Sequence, residues 1–264
     1  MRLFVFTIFY LCSFNIFSND NIEDNLIQAI DNPMRKEENQ KRDVYRNPKE
    51  TLSFFGITRK MKVLEIIPGR GWYTEIIGNL MMNTNNFFVA TYQNPQYSAE
   101  ILKKIQKEFE LYFSKNKEYF GNIQSIFIDE NYEIVSQENK FDMVLTFRNS
   151  HNWLNANKAD NMYKSIYKVM KKGGILGVVQ HRADESLGYN YRKGYVKESF
   201  LIELIEKNGF KLVEKSEINA NPKDLKNYED GVWRLPPRLA LGEKNRQKYI
   251  EIGESDRMTL KFVK

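Results

Sequence analysis

The segment that decides the fold runs from Lys62 to Thr74 and reads KVLEIIPGRGWYT. It begins with a short apolar run typical of a buried strand, and an acid, Glu65, lies at the end of that run. A Pro-Gly-Arg-Gly turn follows at 68–71, and an apolar pattern of helical period then runs from Trp72 to Leu80. Glycine permits close approach of a ligand to the backbone, and a helix start presents unpaired N–H groups. The segment therefore predicts a strand, a ligand-binding turn and a helix, although a turn alone would also explain the glycines.

The turn lacks one glycine of the dinucleotide-binding fingerprint. The pattern Gly-x-Gly-x-x-Gly requires a third glycine three positions after Gly71, and this chain has Thr74 there. The sequence therefore disfavours NAD as the ligand of this turn. An acid at the end of the first strand suits a different cofactor.

Six further strand patterns follow the first strand, Val63–Ile66, and helical patterns separate the first six of the seven. Alternating strands and helices predict an α/β fold with a doubly wound parallel sheet. Ligands of such sheets bind at the carboxyl ends of the strands, where the strand order reverses. The further strands are predicted at Phe87–Thr91, Ile123–Ile128, Met143–Phe147, Ile175–Gln180, Lys211–Ile218 and Met258–Val263.

Several stretches resemble class I S-adenosylmethionine (SAM)-dependent methyltransferases, and in particular the exported predicted methyltransferases of bacteria. Besides the first-strand motif, the likeness is carried by Gly71–Glu75, Phe147–Trp153, Asn219–Asp224 and Gly253–Met258. The resemblance implies a Rossmann-like sheet of seven strands in the order 3-2-1-4-5-7-6, with the last strand antiparallel. It also implies SAM as the cofactor and methyl transfer as the activity.

The resemblance assigns cofactor-binding roles to eight residues of this chain. Glu65 would serve the methionine amino group, and Asp129, after the third strand, matches the position that often reaches the adenine amino group. Two features depart from the family: Ile67 replaces the first loop glycine, and the acid that usually ends the second strand is absent. The candidate cofactor-binding residues are Glu65, Pro68, Gly69, Gly71, Tyr73, Tyr92, Gln93 and Asp129.

The two histidines of the chain, His151 and His181, each follow a predicted strand end on the ligand side of the sheet. Neighbouring strands lie about 4.8 Å apart, so both imidazoles would reach one cleft. Histidine is the usual proton acceptor at neutral pH, and such a base predicts activity that rises through about pH 6 to 7. Arg148 would hold an anionic substrate through its guanidinium. These three residues are the candidate catalytic residues.

Charge pattern and residue spacing argue against two other function classes, nucleic acid binding and metal-assisted hydrolysis. The net charge is +6, but the basic residues are mixed with acids, as on solvated helix faces, so we expect no nucleic acid partner. His151, His181 and either Asp184 or Glu185 would supply ligands for a metal-assisted hydrolase. Their spacing is not compact, so we expect no metal site.

The first residues resemble a secretory signal peptide. An apolar run from Leu3 to Phe17 follows Met1-Arg2, and Ser18 precedes polar residues. The expected organisation is a signal peptide at 1–18, a helical extension at 19–59 and a methyltransferase-like domain at 60–264. Within the extension we expect polar helices over 22–30 and 33–45 and a third helix that begins near Pro48. Residues 219–256 would form a lid-like insertion before the last strand. We therefore expect a periplasmic or secreted protein without stable membrane insertion after leader cleavage.

The leading interpretation is a SAM-dependent methyltransferase that acts on a small-molecule acceptor outside the cytoplasm. Fold order and the loop motif agree on it. The alternatives are a protein of the same fold that is non-catalytic or binds an altered ligand, and the metal-assisted hydrolase. The sequence names neither the acceptor nor the oligomeric state.

Overall fold

A computed structural model describes residues 21–93, 99–186, 188 and 190–264. These residues build one mixed sheet of eight strands in the order β4-β3-β2-β1-β5-β6-β8-β7. The strands are β1 (Val63–Ile66), β2 (Phe87–Tyr92), β3 (Gln124–Ile128), β4 (Ile134–Val135), β5 (Phe141–Phe147), β6 (Met170–His181), β7 (Lys211–Ser216) and β8 (Arg257–Val263).

The predicted count of seven strands is wrong by one. The additional strand is the two-residue β4, which pairs antiparallel with β3. Without β4, the observed order is the predicted 3-2-1-4-5-7-6. Strand β8 is antiparallel to both neighbours, as predicted for the last strand. Strand β1 pairs in parallel with β2 on one side and β5 on the other, so the strand order reverses there.

Helices cover both faces of the sheet because side chains of each strand alternate between them. The helices are α1 (Ile22–Ile30), α2 (Glu37–Gln40), α3 (Asp43–Arg46), α4 (Pro48–Phe55), α5 (Trp72–Leu80), α6 (Ala99–Lys115), α7 (Lys117–Phe120), α8 (Ser150–Asn155), α9 (Ala159–Val169), α10 (Glu198–Lys207) and α11 (Arg246–Ile252). Leu64 and Ile66 join a core with helices α8–α10, whereas Val63 joins a second core beneath α1 and α4–α7.

The helical extension packs onto the sheet rather than standing apart from it. Its fourth helix begins with Pro48, which suits a first helical position, and buries Leu52 and Phe55. Burial of each of these side chains is worth roughly 1.5–3 kcal/mol. The helix expected over 33–45 is instead the two short helices α2 and α3. The predicted signal peptide lies outside the described residues.

The long connection between β7 and β8 is folded, not extended. It contains a short 3-10 helix at Gly231–Arg234, helix α11 and a small apolar cluster of Tyr228, Leu235 and Tyr249. It leaves and returns at the sheet edge where the parallel strands end, and this edge carries the site. Within the part of the chain that the structure describes, none of the helices has the length and apolar character to cross a membrane.

Candidate active site

The loop between β1 and α5 has a backbone that normally requires glycine at three positions. Its φ angles are +48° at Ile67, +60° at Gly69 and +83° at Gly71. A β-carbon added at Gly69 would meet nothing within 4 Å, whereas one at Gly71 would collide with the ring of Phe113 on α6. Gly69 therefore leaves room beside the loop, and Gly71 allows α6 to pack against it.

Ile67 keeps the left-handed conformation of the glycine that it replaces. A β-branched residue is a genuine outlier at positive φ, and such strain costs on the order of 1–3 kcal/mol. Asn149 helps to hold this strand end. Its side-chain amide donates to the carbonyl of Ile66 at 2.8 Å, to that of Ile67 at 3.4 Å and to the hydroxyl of Thr146 at 3.2 Å. Asn149 was not among the predicted site residues, although it lies in the quoted stretch Phe147–Trp153.

Glu65 is buried beneath the loop, with an exposed fraction of 2%. Its carboxyl group accepts a hydrogen bond from the hydroxyl of Thr74 at 2.7 Å. Burial raises the pKa of Glu65 to about 8, against the lowering influence of this hydrogen bond. The side chain is therefore mainly protonated at pH 7. An ammonium group beside it would favour the ionised form.

A small pocket with a cavity volume of about 40 Å³ opens next to the loop. This volume is far below the roughly 300–1,000 Å³ of small-molecule sites. Gln93 follows Tyr92 at the end of β2 and is exposed. The residues that line the pocket come from the loop, the end of β2 and helix α6: Ile67, Pro68, Gly69, Thr91, Tyr92, Leu102, Gln106 and Phe109.

Of the eight predicted cofactor-binding residues, Pro68, Gly69 and Tyr92 line this pocket. Among the other five, Asp129 and Tyr73 make contacts elsewhere. Asp129 uses one carboxyl oxygen to accept from the backbone N–H groups of Asn131 and Glu133, and so closes its own loop. The ring of Tyr73 stacks on Phe147 with centroids 3.5 Å apart. Their assignment to the cofactor remains a prediction.

The structure brings the two histidines together. Their ring centroids are 5.6 Å apart, and the ring of Trp233, from the long connection, is 5.8 Å from that of His151. Both imidazoles are buried, with exposed fractions of 3% and 6%. The side chain of Ser255 lies 2.5 Å from Nδ1 of His181.

Hydrogen bonding fixes the tautomer of His151. The amide nitrogen of Gln180 donates to the carbonyl of Gly194 at 2.9 Å, which orients the amide, and lies 3.2 Å from Nδ1 of His151. Nδ1 therefore accepts, and Nε2 carries the proton. Among the described residues, Nε2 of His151 and the amide oxygen of Gln180 are buried without a partner. This imidazole offers a hydrogen-bond donor rather than a base.

The expected rise in activity through pH 6 to 7 does not agree with these surroundings. Burial, with a smaller contribution from Arg148, lowers the pKa of His151 to about 4, although the hydrogen bond with Gln180 acts to raise it. Burial and the nearby His151 hold the pKa of His181 well below its ordinary value. Both imidazoles are therefore neutral throughout the physiological range. The sequence could not predict this because it does not show how deeply the two side chains are buried.

Arg148 belongs to a cluster of buried charges that we call the arginine cluster, defined by Arg42, Arg46, Arg148, Arg257 and Glu254. Glu254 accepts from Nε of Arg42 at 2.6 Å and from Nε of Arg46 at 3.2 Å, and pairs with Arg257 at 3.2 Å. Burial lowers the pKa of Arg148 to about 10, so it stays charged at pH 7. Although burial acts the other way, the arginines hold the pKa of Glu254 at about 2.

The carboxylates of the predicted metal alternative are occupied elsewhere. Asp184 accepts from the backbone and hydroxyl of Ser186, and Glu185 accepts from those of Ser199. Among the residues with described positions, we find no group of three or more His, Cys, Asp or Glu side chains that could hold a metal ion.

Comparison with known proteins identifies the fold of this chain but finds no relative by sequence. No family model matches the sequence, and no curated protein does. A SAM-dependent methyltransferase from Aquifex aeolicus is 15% identical and covers 75% of this chain and 93% of its own, with a TM-score of 0.55. Phosphoethanolamine N-methyltransferase 2 of Haemonchus contortus, in complex with phosphomonomethylethanolamine and S-adenosylhomocysteine, is 16% identical (TM-score 0.57) and covers 83% of this chain and 52% of its own. The [4+2]-cyclase SpnF is 14% identical and covers 92% of each chain, with a TM-score of 0.56. The chain therefore has the fold of class I methyltransferases, on which at least one other chemistry also occurs.

Proposed function

We propose that this chain is a SAM-dependent methyltransferase that acts on a small-molecule acceptor outside the cytoplasm. The observation that supports this most is the loop between β1 and α5. It keeps a glycine-type backbone even at Ile67, at the point where the strand order reverses. Strain of this kind persists where the surrounding structure imposes it, and it is concentrated at functional sites. The cofactor would supply an electrophilic methyl group.

The residues of this edge fit such a cofactor. Gly69 leaves space for a ligand against the backbone, and the start of α5 directs N–H groups towards it. Glu65 would hold the methionine ammonium group, and Tyr92 would border the adenosyl moiety. Tyr92 and Gln93 would contact the ribose hydroxyls as neutral groups. Their hydrogen bonds would be weaker than those of the usual carboxylate.

The neutral histidines change the role that we assign to them. Methyl transfer is an in-line displacement, so the protein contributes mainly by aligning the two reactants and excluding water. His151 would orient the acceptor through its Nε2–H. A proton acceptor with a pKa near 4 would be a weak base at pH 7.

A second candidate is a binding protein that uses the same fold with an altered ligand. It is favoured by the side chain of Ile67, which lines the pocket where the family has glycine. The presence of a cyclase among the structural neighbours is consistent with such a change.

Methyl transfer can be tested without knowing the acceptor. The parent protein and Gly69→Val are incubated with SAM labelled in its methyl group and a small-molecule extract of the bacterial cell envelope. We expect labelled products and S-adenosylhomocysteine from the parent only. Equal amounts from both proteins would count against a cofactor site at this loop, and no product from the parent would count against a methyltransferase.

The location outside the cytoplasm rests on the sequence of residues 1–18. A full-length chain with a C-terminal tag should appear in the periplasmic fraction of a bacterial host, with a mass reduced by the leader. The full mass in the cytosolic fraction would contradict export.

A further inference from the structure

The arginine cluster carries more positive charge than its own contacts neutralise. Its four guanidinium groups are grouped around a single carboxylate, that of Glu254, so the five side chains have a formal net charge of +3. Arg46 and Arg257 are almost fully buried, with exposed fractions of 1% and 3%. Unneutralised charge in such surroundings is costly unless a partner supplies the opposite sign.

Two of the guanidinium groups also have donors without acceptors. In the described part of the chain, Nη2 of Arg42 and Nη2 of Arg46 are buried and make no hydrogen bond, although Nε of each binds Glu254. Buried polar groups are nearly always satisfied in folded proteins. A ligand oxygen is the simplest acceptor for donors of this kind.

The cluster lies at the same edge of the sheet as the candidate active site. Arg148 follows the end of β5, and Arg257 pairs in register with His181 at the end of β6. The side chain of Arg42 is 21% exposed, and Arg148 is half-buried, so the cluster reaches the surface. Arg148 also acts electrostatically on both histidines.

We propose that the arginine cluster binds an oxyanion, most suitably the phosphate of a monoester, and that this anion belongs to the methyl acceptor. The second half of this statement rests on the proposed function, whereas the first does not. Guanidinium groups match the oxygens of phosphate and carboxylate. A phosphate dianion offsets more of the net charge and offers one more acceptor oxygen than a carboxylate.

Calorimetric titration with inorganic phosphate tests the oxyanion site in the full chain, without SAM or its product. The variants are Arg42→Met and Arg148→Met, and the matched control is Lys207→Met, which removes one exposed charge on α10. We expect the parent and the control to bind phosphate, with acetate bound more weakly. Each arginine variant should bind phosphate at least about tenfold more weakly, the loss typical of one charge-assisted hydrogen bond.

Thermal unfolding of the same proteins separates a lost ligand contact from a lost fold. Either variant removes one of several like charges, so we expect at least one to unfold no earlier than the parent. The oxyanion site would be overturned if the parent bound no phosphate at millimolar concentration and about tenfold molar excess over protein. Equal phosphate binding by the variants and the control would also overturn it. Tighter binding of acetate than of phosphate would overturn the preference for a phosphate.

The outcome is distinguishable from failure of the proposed function. Gly69→Val should bind phosphate as the parent does, because the loop is not part of the arginine cluster. Phosphate binding without binding of S-adenosylhomocysteine would leave an oxyanion site on a protein that is not a methyltransferase. The reverse result would leave a methyltransferase whose acceptor is not held by these arginines.

Discussion

Glu65 should make the stability of this protein depend on pH in an unusual direction. Its ordinary pKa of 4.5 rises to about 8 in the folded chain. Between these values the folded protein holds a proton that the unfolded chain has lost, so the free energy of unfolding falls as pH rises. The gap corresponds to roughly 5 kcal/mol in full, of which about 4 kcal/mol is lost between pH 5 and 8, at about 1.4 kcal/mol per pH unit.

The variant Glu65→Gln isolates this contribution. Glutamine is neutral at every pH, and its carbonyl oxygen can still accept the hydrogen bond from Thr74. Urea unfolding at pH 5 and pH 8 should show that the parent loses about 4 kcal/mol more than the variant. Glu100→Gln, whose side chain is 95% exposed, is the control and should follow the parent. Identical pH dependence of the parent and Glu65→Gln would refute the protonated state of this carboxyl group.

The same residue links stability to the cofactor. If the methionine ammonium group lies against Glu65, binding at pH 7 releases about one proton, because the ionised carboxylate is the form that is bound. Calorimetry with S-adenosylhomocysteine in buffers of different ionisation enthalpy measures this number. The value should be near one for the parent and near zero for Glu65→Gln. Equal proton release by both would place the ammonium group elsewhere.

Three further predictions concern the loop and the histidines. In urea titrations, Gly71→Val should lower the free energy of unfolding by about 3 kcal/mol or more, because the added β-carbon collides with Phe113. Gly69→Val should lower it by only about 1–2 kcal/mol, the strain of a side chain at positive φ. Similar losses in the two variants would contradict this difference. Asn149→Ala should weaken binding of S-adenosylhomocysteine about tenfold in calorimetry, since three hydrogen bonds to the strand end are lost; unchanged affinity would remove its positioning role. Once an acceptor is found, the rate of methyl transfer should show no histidine titration between pH 5.5 and 7.5. A rate that rises in this range in the parent but not in His151→Gln would indicate that His151 is a general base after all.

The sequence predicted most of the sheet because each strand carries its own signal. Apolar runs and turns located all seven longer strands, although β6 begins five residues before the predicted start at Ile175. Strand β4 was missed because Ile134–Val135 is too short to show a period of two. The helix expected over 33–45 is interrupted at Lys41 and Arg42, and Nε of Arg42 donates to the distant Glu254.

The candidate site was only partly predictable, for a physical reason. Gly69 and the two histidines lie at strand ends, so their approach to one edge followed from topology. The arginine cluster joins residues as far as 212 positions apart, and local pattern carries no information on such contacts. The pKa values of the histidines depend on burial, which sequence does not give.

Calorimetric titration of the leaderless protein with SAM and with S-adenosylhomocysteine would show whether this chain binds the cofactor. We expect saturable binding of both at one site per chain, lost in Gly69→Val and retained in the exposed-charge control Lys207→Met. Binding that is equally strong in Gly69→Val would place the cofactor away from the loop between β1 and α5. No heat from either compound, in a parent protein that unfolds cooperatively, would contradict the assignment of this chain as a SAM-dependent methyltransferase.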